Sequence, residues 1–92
     1  MEKEDRQIAA IKRLILLKLI KMGKFGGAHT ALRNAIAGLP SRYLATNKGK
    51  KFVQKTLKGL VNKTFLLAKG EIHVSINPSK IKEINEFLNK FK

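Results

Sequence analysis

Lys48, Lys51, Lys55 and Lys58 are spaced three, four and three residues apart, and Asn62 follows four residues later. On a helix this spacing gathers all five onto an arc of roughly 80°. A row of ammonium groups on one helix face suits one kind of chemistry, the neutralisation of a row of phosphates. Ammonium is a compact point charge, so these lysines suit gripping a backbone better than reading a base. Gln54, at the border of the arc, and Asn62 carry amides that can pair bidentately with adenine. The plainer account of each amide, a polar surface residue or a helix cap, stands beside that one. Lys50 adds a further charge to the same segment.

On the other side of this helix, Val53, Leu57, Leu60 and Val61 fall at i, i+4, i+7 and i+8, with Phe52 on the flank. A face that only solubilises usually mixes signs, because Glu and Lys four residues apart attract. Asn47–Lys63 has six lysines and no acid. The same bias runs through the chain of 92 residues, whose net charge is +14. No acid lies between Asp5 and Glu71, while fifteen basic residues fall in Arg6–Gly70. That excess is costly through self-repulsion and points to a polyanionic partner. Double-stranded DNA is the first expectation, structured RNA or the ribosome the second. A structural or interaction module with incidental charge is the third.

The other chemistry-bearing residues are sparse. His29 and His73 are far apart in sequence, there is no cysteine, and the only aspartate is Asp5. Neither a zinc set nor a Ser-His-Asp arrangement is visible. Glu83 and Glu86 read as solvated helix residues. No enzyme, metal or cofactor is expected. Gly26-Gly27 lacks the Gly-Lys-Ser/Thr of a phosphate loop and reads as a flexible turn. The lack of cysteine fits a reducing cytoplasm. The apolar run Ile8–Met22 is interrupted by Lys12, Arg13, Lys18 and Lys21, so no membrane span is expected.

The elements that must position these groups follow from periodicity. After a charged N-terminal tail over 1–6, the first helix covers about Asp5–Met22. One stripe holds Ile8, Ile11, Ile15, Leu19 and Met22, and a second holds Leu16 and Ile20. Gly23 ends that helix. The second stripe, with Phe87 and Phe91, is the candidate surface for a homodimer. A short helix follows over about Thr30–Ala37, with Thr30 as its N-cap, and Gly38-Leu39-Pro40 stops it. Ser41–Asn47 is a turn region with a helical start at Ser41 as an option, and the lysine helix comes next. Thr64–Ala68 and Glu71–Ile76 then read as a tight hairpin around Lys69-Gly70. Ile72, Val74 and Ile76 share one face of it. Asn77 and Pro78 open a last helix whose apolar face is Ile81, Ile84, Leu88 and Phe91.

The whole chain therefore reads as one α+β domain, mainly α. The layout is that of a winged helix-turn-helix: three helices, a short β-hairpin wing and a C-terminal helix. In it Arg42 and Tyr43 precede the third helix and Lys69 sits at the wing tip, all three placed for backbone contact. Tyr43 can equally belong to the core edge.

Two segments, GAHTALRNAIAGLP (Gly27–Pro40) and EIHVSINPSKIKEI (Glu71–Ile84), carry a resemblance. Together with the layout they resemble small archaeal winged-helix proteins. That group has Gly-x-His-Thr near the second helix, here Gly27, His29 and Thr30. It has a Gly-Leu-Pro turn, here Gly38, Leu39 and Pro40. On its second wing strand it has His-Val-Ser-Leu/Ile-Asn-Pro, here His73 to Pro78. The likeness spans roughly Ile8–Phe91. It implies the winged fold and a DNA-binding role; a transcription regulator or chromatin-associated factor, cytoplasmic and nucleoid-associated, is the simplest expectation for such a chain. It implies neither a target sequence nor catalytic residues.

Overall fold

The computed structural model describes residues 2–70 and 72–90, with side chains from Arg6 onward. Among the described residues five α-helices and three strands follow in chain order: α1 Glu2–Lys21, β1 Thr30–Ala31, α2 Leu32–Ile36, α3 Ser41–Leu44, α4 Asn47–Asn62, β2 Leu66–Lys69, β3 His73–Ile76 and α5 Ile81–Lys90. The fold is α+β, mainly helical, with one small antiparallel sheet of strand order β1-β3-β2.

The apolar periodicity of α1 has a direct result. Ile11, Ile15, Leu16 and Leu19 are fully buried, and α1 lies against α2, α4, α5 and β3. The two apolar stripes are therefore both covered from within one chain. This corrects the dimer expectation for Leu16, which is inaccessible, and Ile20 packs against the same core. Among the described residues Leu14 is the large apolar side chain of α1 that is most exposed, at 38%. The backbone of α1 is already helical at Glu2, so residues 2–6 belong to the helix rather than to a tail before it. At the other end Gly23 takes φ +71°. The Gly23 N–H donates to Ile20 O and the Lys24 N–H to Leu19 O, the paired bonds of a Schellman stop.

The segment after α1 is tied down rather than loose. The Ile76 N–H donates to Lys24 O at 2.8 Å and the Gly26 N–H to Ile76 O at 2.9 Å. The buried Ser75 hydroxyl donates to Gly26 O at 2.7 Å. This corrects the flexible-turn reading of Gly26-Gly27: Gly26, at φ +56°, holds its place against β3 and Pro78. Thr30 is likewise not a helix cap. It pairs with Val74 as the first residue of β1, and α2 starts after Ala31 without a side-chain cap.

β3 is the central strand. Its Val74, Ser75 and Ile76 are all buried: Val74 and Ile76 belong to the core, Lys24–Gly26 pairs along the β3 edge at Ile76, and Gly26 O accepts from the Ser75 hydroxyl. The hairpin register pairs Leu66 with Ile76 and Lys69 with His73, leaving a connection over 70–72 rather than a two-residue turn. Ile72 therefore falls outside the ladder and is 63% exposed, instead of sharing the buried face of Val74 and Ile76. Asn77 caps the single 3-10 turn Pro78–Lys80, its side-chain oxygen accepting from the Ser79 N–H, and α5 follows. Ile84 is the buried anchor of α5. Phe87 and Leu88 pack beside it, and Ile81 is more exposed than its place in the apolar stripe predicts. Phe91 lies outside the described residues.

Candidate nucleic-acid interface

The division of α4 into two faces is carried through in three dimensions. Val53, Thr56, Leu57 and Leu60 are buried, and Phe52 and Val61 pack against the core. Lys48, Lys50, Lys51, Gln54, Lys55, Lys58 and Asn62 are all exposed. Thr56 sits on the buried side because its hydroxyl has a local partner, donating to Phe52 O at 2.7 Å.

α3 and the turn before α4 fix where this face points. Thr46 is the N-cap: its side chain accepts from the Gly49 N–H at 3.0 Å and donates to Arg42 O at 2.9 Å. Gly49 is buried against the preceding helix. A Cβ built there would lie 2.6 Å from the Tyr43 Cα and closer still to the Arg42 carbonyl oxygen. The missing side chain is what lets α3 and the first turn of α4 touch through their backbones. Neither Thr46 nor Gly49 stands out in the sequence. The Thr-x-x-Gly spacing is consistent with a cap, but the close approach depends on a partner that only the fold supplies.

Arg42 and Tyr43 take different parts. Tyr43 is a core residue, 5% exposed, as the core-edge option has it. The exposed Arg42 lies over it, with the guanidinium carbon 4.9 Å from the ring centroid and Nη2 donating to the Tyr43 hydroxyl at 3.3 Å. Arg42 and Lys48 line one small cavity of about 200 Å³ with Gln7, Thr46 and Phe52. Two basic groups from α3 and α4 thus meet beside the N-terminal end of α4, where its dipole also favours an anion. Lys69 is exposed at the end of β2, beside His73 in register.

The remaining chemistry-bearing groups do not converge on this face. His29 and His73 form an edge-to-face pair with ring centroids 6.0 Å apart, and His29 Nδ1 lies 2.7 Å from Gly27 O. Among the described residues no three of His, Cys, Asp and Glu are placed to hold a metal ion. Lys12 on α1 has its pKa moved below the ordinary lysine value. Burial lowers it first, and the Lys63 ammonium beside it lowers it further. Among the described residues no helix is long and apolar enough to cross a membrane. No family model, curated protein or solved structure matches the chain.

Proposed function

We propose that the chain is a winged helix-turn-helix protein that binds double-stranded DNA with α4 in the major groove. Its cellular role is then that of a transcription regulator or a chromatin-associated factor. The observation that carries this reading is the acid-free outer face of α4, whose lysines are exposed while the opposite face is anchored in the core. The order helix, strand, helices, hairpin, with β1 on the outer side of β3, supports the winged assignment. Lys48, Lys51, Lys55 and Lys58 neutralise phosphates. Lys50 and Arg42 extend the basic surface, and Gln54 and Asn62 supply what base reading there is. The wing is short, so Lys69 serves the backbone rather than the floor of a groove. Tyr43 supports Arg42 from below.

Binding measured against salt tests the reading. Removing one lysine that neutralises a phosphate should flatten the slope of log affinity against log salt by about 0.9. Lys51→Ala and Lys58→Ala should each do so, weakening cognate and scrambled duplexes alike. Slopes unchanged in both variants would remove α4 from the interface. Tighter binding of structured RNA than of duplex DNA at the same salt would move the assignment to RNA.

A further inference from the structure

A second cavity, of about 660 Å³, lies where α1, the end of α4 and α5 meet. Its size is in the range of about 300–1,000 Å³ typical of small-molecule sites. Ile8, Leu60, Phe65 and Phe87 give it apolar walls. Arg6 and Lys12 line it from α1, Lys63 from the residue after α4, and Glu83, Glu86 and Lys90 from α5, so its basic groups outnumber its acids.

We propose that this cavity binds a small monocarboxylate with an apolar body, its carboxylate at Lys12 and Lys63 and its body against Phe65 and Phe87. The half-buried Lys12 ammonium has the exposed Lys63 ammonium as a like-charged neighbour, an unfavourable arrangement that one anion relieves. The depressed pKa of Lys12, caused by burial and then by Lys63, reflects that arrangement. An uncharged ligand would leave that repulsion in place. A polyanion would meet Glu83 and Glu86 on the other wall, which separates this site from the lysine face of α4. One negative charge on an apolar body meets the basic groups without crowding the two carboxylates, and its body fits the apolar lining. The inference does not depend on the DNA reading, since the two sites use different residues.

The test is a titration of the isotope-labelled full chain with 3-phenylpropionate and with its neutral isostere 3-phenylpropanol, followed by amide NMR at constant ionic strength. The carboxylate should give saturable shifts at Lys12, Leu60, Lys63 and Phe87. The alcohol should bind about tenfold more weakly, the scale of a charge-assisted against a neutral hydrogen bond. Lys12→Gln or, should that variant fold poorly, Lys63→Gln should erase the preference while the rest of the spectrum stays in place. Equal binding of acid and alcohol would overturn the proposal. So would a preference that survives both substitutions, shifts confined to Lys48–Lys58, or no saturable shifts at all.

Discussion

Single residues decide how the basic helix is seated, and two glycines in it have opposite consequences. Alanine normally stabilises a helix interior relative to glycine by about 0.5–1 kcal/mol. Gly59→Ala should show that gain, because the nearest atom a Cβ would meet there is the Lys12 Cε at 4.0 Å. Gly49→Ala should instead lose about 1–3 kcal/mol, since the obstacles are the backbone of Arg42 and Tyr43 and cannot swing away. Urea unfolding of the two variants checks both signs. Thr64 gives a third case. It ends α4 in the left-handed region at φ 61°, with its N–H bonded to Val61 O and the Phe65 N–H to Leu60 O. A β-branched residue is strained there, so Thr64→Gly should raise stability by about 1 kcal/mol in the same assay. The stop at Gly23 is legible in the sequence because glycine is its usual residue. The stop at Thr64 is not, because local preference opposes it and the pairing of β2 with β3 imposes it. Lys12 adds a pH signature. Its folded-state pKa lies below the ordinary 10.5, so the unfolded chain holds the proton more tightly and stability rises as pH climbs through that window. Lys12→Gln should therefore be more stable than the parent chain at neutral pH. The difference should shrink as pH approaches and passes 10.5 in thermal melts of the two proteins.

At the scale of elements, long periodic segments are legible and partner-defined ones are not. The apolar stripes of α1, α4 and α5 have the helical period, and each yields a helix with a buried anchor such as Ile15, Leu57 or Ile84. The lysine face of α4 is legible for the same reason, since a side chain off the apolar arc of an anchored helix points outward. β1 is different: two residues with no alternating pattern become a strand only because β3 offers an open edge. The same strand upsets the expectation for Ile72. Alternation counts from the ladder, and the connection over 70–72 takes Ile72 out of it. Leu16 is the converse error. Two apolar stripes on one helix fit a second subunit as well as a small domain that wraps both sides, and periodicity alone does not separate them. Here α2, α4, α5 and β3 do the wrapping.

The whole molecule is a dense packet of positive charge. Its longest extent is 32 Å. At about 0.01 M salt the screening length of about 30 Å spans that distance, and at 0.1 M it falls to about 10 Å. Added salt should therefore raise the melting temperature by relieving self-repulsion, even as it weakens binding to polyanions. Calorimetry between these two salt concentrations reads the effect; a melting temperature that falls would mean that attractive pairs outweigh the excess of lysine. The strand order has a consequence in time rather than in energy. β3 is the last strand in the chain and the middle one in the sheet, so β1 must wait for it. As the polypeptide leaves the ribosome, Thr30 and Phe25 emerge long before Val74 and Ile76, their partners. During that interval the first half of the chain has helices but no edge to lean on. The hairpin of β2 and β3, close in sequence, is placed to form first and then collect β1, so the fold closes from its C-terminal side.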